Sequence, residues 1–174
     1  MWATVPRLLA RHRYLVLGTV DPAGNPWVTP VFYAAAGEHR VLWLSSPDSR
    51  HSRNIAVCPT VAVTVFDTGA AVGKAEALYL EGTASLVGDH AHPVAVELLN
   101  ARLAADQQLC PQEVGPDGPL RLYQANVTQH YVLIRGGDPR FDNVTDTRLP
   151  VAPPGNSGCP AGTRGAGVGL SRPG

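Results

Sequence analysis

Two arginines, a histidine, two serines, an aspartate and an asparagine fall within the eight residues P-D-S-R-H-S-R-N at positions 47–54. Just before them, V-L-W-L-S-S runs out of an apolar stretch into Ser45 and Ser46. Side chains of these types, crowded together, suit the holding of an anion. Hydroxyls and backbone N–H groups give short hydrogen bonds to phosphate oxygens, and an arginine can give a bidentate pair. If residues 49–57 begin a helix, its first amides add partial positive charge at the same place. The candidate anion ligands here are Ser45, Arg50, His51, Ser52, Arg53 and Asn54. An ordinary N-cap competes with this reading, since Ser or Asp before a short helix needs no ligand. One cap uses one side chain, however. Here Ser45, Ser46, Asp48, Ser49 and Ser52 surround Arg50, His51 and Arg53.

Other chemistry finds less support. His90 and His92, in H-A-H, lack a visible third ligand and are read as surface or capping residues, so no metal is expected. Ser49, Ser52 and Cys58 lack a G-x-S-x-G or comparable setting for a nucleophile, which argues against a hydrolase. The cysteines, Cys58, Cys110 and Cys159, are odd in number and form no C-x-x-C. That points to reduced thiols in a cytoplasmic protein, not to a disulfide framework or a zinc site.

The elements that must position the donor cluster are mostly strands. The 174 residues suit one domain, and the 44% apolar content supports a core. Formal net charge is zero, so no basic face argues for nucleic acid. No apolar run is long enough for a membrane helix. The start M-W-A-T-V-P does not resemble a secretory signal.

In chain order, residues 2–13 read as a short helix with Val5, Leu8, Leu9 and Tyr14 on one face. Residues 14–20 and 26–34 read as strands around the turn D-P-A-G. Pro30 removes a ladder donor from the second strand, so a bulge or an edge is expected there. Residues 40–45 form a third strand that leads into the donor cluster and a short helix ending before Pro59. Residues 60–66 and 77–87 form two more strands, with Gly82 marking a bulge or close approach. Residues 93–109 read as the best helix, with Val94, Leu98, Leu99 and Leu103 as its apolar face. Residues 120–135 form a last long strand, and residues 141–144 a possible short return strand. The Pro- and Gly-rich tail cannot bury enough surface to offset its ordering entropy and is expected to be disordered. The domain is therefore set at residues 1–148, with a disordered tail over 149–174. About six strands with short connections imply a mainly β fold with flanking helices: a six-stranded antiparallel sheet closing as a small barrel.

Across residues 3–135 the segments G-N-P-W-V-T-P-V, V-L-W-L-S, S-R-H-S-R-N-I, P-T-V-A-V-T-V and L-Y-L-E-G-T-A follow one another in a familiar order. In this the chain resembles the FMN-binding split-barrel family related to pyridoxamine 5′-phosphate oxidase. The resemblance implies a split β-barrel, a homodimer with two FMN sites at the subunit interface, and redox chemistry through the isoalloxazine. It implies that Thr29, Pro30, Val31 and Phe32 run beside the ring system, largely through backbone groups. Ser45 matches a hydroxyl position near the ribityl phosphate, and Arg50 matches the phosphate-binding arginine. His51 stands where the family usually has lysine, in a pattern like S-R-K-x-R-N. A neutral imidazole is a weaker phosphate partner than lysine, which leaves room for a deazaflavin coenzyme in place of FMN. Ala34 stands where the vitamin B6 enzyme has a substrate-binding lysine. Residues 136–174 hold no counterpart of its arginine- and histidine-bearing segment, so that enzyme itself is not implied.

The expected function is an FMN-dependent oxidoreductase acting on a small organic molecule, with NAD(P)H as a possible hydride donor. Its alternatives are a deazaflavin-dependent reductase on the same fold and a non-catalytic flavin- or haem-binding barrel. Trp27, Tyr33 and Tyr79 could pack on the ring or the substrate, or could simply be core aromatics.

Overall fold

The computed structural model describes residues 1–110, 113–115 and 118–154. Helix α1 (Thr4–Arg11) leads into strands β1 (Tyr14–Val20), β2 (Pro26–Ala35) and β3 (Arg40–Ser45). Helix α2 (Arg50–Val57) follows β3, and then come β4 (Thr60–Phe66) and β5 (Ala77–Leu86). Helix α3 (His92–Asn100) precedes the long β6 (Arg121–Ile134) and the short β7 (Thr147–Val151). All the pairings between these strands are antiparallel, in the order β3-β2-β1-β4-β5-β6-β7.

β3 also pairs with β6, from Arg40 opposite Asn126 to Ser45 opposite Arg121, and this closes six strands into a barrel. The shortest seams are β1–β4, where Val16, Leu17 and Gly18 meet Thr64, Val63 and Ala62, and β2–β3, where Tyr33, Ala34 and Ala35 meet Trp43, Leu42 and Val41. Tyr33, Trp43, Leu15, Leu17, Val63, Leu78 and Leu80 fill the interior. A second apolar cluster, with Ala34, Leu42 and Leu122, lies under Ala95 and Leu99 of α3.

Gly82 marks a bulge and Pro30 marks an edge. The β5–β6 register shifts between Glu81 and Gly82. A Cβ on Gly82 would lie 2.1 Å from the Asn126 carbonyl oxygen, so only glycine lets β6 approach this closely. Pro30 sits in unbroken register opposite Val16, without a bulge. It lies on an edge, because β3 takes up β2 only at Tyr33, Ala34 and Ala35.

Four expectations need correcting. α1 is shorter than residues 2–13, and Tyr14 is exposed at the start of β1 instead of completing the helix face. α3 stops at Asn100, not near Leu109, because the Asn100 side chain takes the Leu109 N–H at 2.8 Å. Its buried face is Ala95 and Leu99, and Val94 is 58% exposed. Residues 141–144 form turns, and the return strand is β7. β7 carries the ordered chain past residue 148, pairing Leu149, Pro150 and Val151 with β6. Pro150 is tolerated there because, among the described residues, β7 pairs with β6 alone. The rest of the expected tail lies, from residue 155, outside the described residues.

Candidate functional site

The donor cluster folds as the N-terminus of α2. Ser49 is the N-cap, with extended backbone, and its Oγ accepts the Ser52 N–H at 3.3 Å. The Ser49 and Ser52 hydroxyls lie 2.8 Å apart. His51 Nε2 lies 2.7 Å from Ser45 Oγ at the end of β3 and 3.1 Å from Ser49 Oγ. One imidazole thus gathers the hydroxyls of a strand end and a helix cap. His51 is buried, and burial pushes its pKa below the ordinary histidine value, so the ring is neutral at pH 7. The N–H groups of Arg50 and His51 meet no acceptor among the described residues. They are the open donors of a helix start.

The arginines are engaged elsewhere. The Arg50 guanidinium lies 4.5 Å above the Trp27 ring on β2 and 3.6 Å from the Asp21 carboxylate. Hydrogen bonds from Asn25, then the Ala23 N–H and the Arg50 charge, hold Asp21 below the usual carboxylate range. Arg53 donates to the Asp48 carbonyl. Asn54 turns under the helix, where its Nδ2 donates to Thr19 Oγ1 at 3.0 Å.

The structure therefore brings Ser45, His51 and Ser52 into one network and sets Arg50 beside it. It places Asn54 in the packing beneath. Thr29, Pro30, Val31 and Phe32 lie on the stretch of β2 that pairs only with β1, so one edge of that backbone is open. Pro30 also borders a hollow of about 350 Å³ with Tyr14, Leu15 and Val16. Trp27, 39% exposed, joins this edge to the α2 corner through Arg50. Tyr33 belongs to the core: its hydroxyl donates to the Leu9 carbonyl at 2.9 Å, and burial pushes its pKa up to about 12.

Ser49, counted in the donor excess but not among the candidate ligands, bonds both His51 and Ser52 in the hydroxyl network; Thr19 and Asp21 were not singled out at all. Ser49 carried a signal in its spacing of three from Ser52, the spacing of an N-cap. Asp21 carried none, since its contact with Arg50 arises only when the turn after β1 folds towards α2.

A family model described as pyridoxamine 5′-phosphate oxidase matches residues 1–133. The chain belongs to that family. No curated protein matches it. Among solved structures, the heme storage protein HutZ from Vibrio cholerae is similar, with 20% identity over 75% of this chain and 92% of that one, and a TM-score of 0.61. An FAD-binding protein from Mesorhizobium loti is 18% identical over 75% of this chain and 91% of that one, with a TM-score of 0.57. An F420 reductase is 25% identical over 71% of this chain and 93% of that one, with a TM-score of 0.54. The fold is thus the split barrel of the family. No helix among the described residues is long and apolar enough to cross a membrane.

Proposed function

We propose that this protein is an FMN-dependent oxidoreductase acting on a small organic molecule. The observation that carries the reading is the α2 N-terminus. There two open N–H groups, the Ser45 and Ser49 hydroxyls and a neighbouring arginine converge beside an unpaired strand edge. This donor set fits a phosphate. The open backbone of Thr29, Pro30, Val31 and Phe32 is suited to hydrogen-bond the polar edge of a planar ring. Bound there, a flavin would supply hydride transfer, while the protein supplies binding and orientation. Arg50 would swing from Asp21 to the phosphate, and His51 would take up a proton to become a second cationic partner. Tyr14, Val28 and Phe66, exposed on the outer face of β1, β2 and β4, favour a homodimer in which a second copy covers this apolar face.

A deazaflavin coenzyme is the second reading. His51 in place of lysine weakens the phosphate charge at neutral pH, and the likeness to an F420 reductase supports it. The test is an absorbance spectrum of the purified protein, with and without added FMN. Flavin bands that co-elute with the protein and bleach with NAD(P)H or a substrate support the proposal. A colourless protein that gains no thermal stability from FMN refutes it, and a deazaflavin titration then decides the second reading.

A further inference from the structure

The barrel uses only part of the apolar surface of α3. Ala95 and Leu99 are buried against it, whereas Val94 is 58% exposed. Val94, Ala95 and Leu98, one helical turn apart, line a cavity of about 210 Å³ between α3 and the outer face of β3 and β6. Its floor is Leu42 and Val87, both buried.

Strand register gives this apolar bed a polar rim. Residues directly opposite each other in an antiparallel pair share a face. Leu42 stands opposite Gln124, and Arg40 opposite Asn126. Arg40 lies two residues before Leu42, so it shares that face as well. Both Arg40 and Gln124 line the cavity. Arg40 is exposed and has no carboxylate partner among the described residues. Gln124 Nε2 donates to Ser85 Oγ at 3.4 Å, which leaves its second amide N–H for another acceptor.

The cavity thus joins an apolar bed to one uncompensated cation and one amide donor. An alkyl chain leaves water in such a bed, and a carboxylate accepts paired hydrogen bonds from a guanidinium. The volume lies below the roughly 300–1,000 Å³ of drug-sized sites, which limits the occupant to a chain of a few carbons.

We propose that this cavity binds a short-chain alkyl carboxylate, with its carboxylate on Arg40 and Gln124 and its chain between α3 and Leu42. The site shares no lining residue with the α2 corner, the open edge of β2 or the exposed Tyr14, Val28 and Phe66. It stands or falls apart from the flavin reading.

The probe is hexanoate, titrated into the full chain and followed by NMR shifts of the backbone amides. Saturable shifts are expected at Val94, Leu98 and Gln124. Hexanamide in the parent protein, and hexanoate in Arg40→Gln, should each bind about tenfold more weakly, because each lacks the charged hydrogen bond. Val94→Asp sets a carboxylate against the chain and should abolish binding. Acetate, which carries the charge without the chain, should not saturate these shifts. Arg40 and Val94 are exposed, so both variants are expected to keep the parent melting temperature. If neither folds, the comparison of acid with amide in the parent protein decides. Equal affinity for acid and amide, parent affinity in a folded Arg40→Gln, or acetate binding as tight as hexanoate overturns the proposal. So does the absence of saturable shifts, or their confinement to residues 45–54, which would put the anion at the α2 corner.

Discussion

Replacing Arg50 with alanine separates its two roles. In the free protein, its guanidinium stacks on Trp27 and lies 3.6 Å from Asp21, with 42% of the side chain exposed. Exposed ion pairs contribute about 0–1 kcal/mol, so folding stability should change little. Against a phosphate, a hydrogen bond to a charged group is worth about 1.5–3 kcal/mol, or roughly tenfold to a hundredfold in Kd. Arg50 must first leave Asp21, and this brings the expected loss towards the lower end, about tenfold. Asp21→Asn removes that competitor and should tighten FMN binding. The assay is a fluorescence titration of FMN against the parent and both variants, with melting temperatures as the folding control. The two variants must move Kd in opposite directions. If Arg50→Ala binds FMN as the parent does while melting normally, the phosphate is not at this corner and the flavin assignment loses its main support.

Three further outcomes are expected. His51 and His130 are both buried and held below the ordinary histidine pKa, chiefly by desolvation, so the unfolded chain binds more protons than the fold just below about pH 6.5. Stability is therefore complete above that pH and falls as the pH drops through the depressed values. Urea midpoints should be lower at pH 5.5 than at pH 7.5, and an unchanged or higher midpoint would sink the reasoning. Asn54→Ala removes the buried hydrogen bond to Thr19 and should cost about 1–3 kcal/mol, read as a lower urea midpoint; an unchanged midpoint would show that the bond does not hold α2 to the barrel. Gly82→Ala would force a Cβ to within 2.1 Å of the Asn126 carbonyl oxygen. Overpacking against backbone should cost about 1–3 kcal/mol or more, and a melting temperature equal to the parent's would show that β6 shifts freely.

The parts legible in the sequence were those fixed by short-range physics. Alternating β-formers marked the strands, Pro30 marked an edge, Gly82 marked a bulge, and the donor excess before residue 55 marked the helix start. What escaped depends on contacts between distant segments. α3 was misread because Leu98 and Val94 fit a helical stripe, yet the wall formed by Ala34 and Leu42 accepts the Ala95 and Leu99 face. Arg102 donates to the Leu9, Ala10 and His12 carbonyls at the end of α1, a contact between distant segments that no local pattern shows. Asn54 looked like one more anion donor, but a helix turns a side chain five residues after its cap towards the barrel, where Thr19 waits. β7 escaped because Pro150 reads as a breaker unless its strand is known to be an edge.

Thr19 explains how a corner and a strand edge can act as one site. Its hydroxyl accepts from Asn54 under α2 and lies 3.4 Å from the Trp27 carbonyl on β2. Above the same strand, Arg50 lies over the Trp27 ring. A buried polar link below and a cation–π contact above therefore tie the start of α2 to β2. A ligand with a phosphate at one end and a planar ring at the other meets anchors at a separation set by the fold. Little ordering remains to be done when it binds, and that lowers the entropic cost of association. In the proposed complex Arg50 and His51 would change partners while the Asn54–Thr19 link beneath them stays in place. Charge can then be rearranged there without disturbing the barrel.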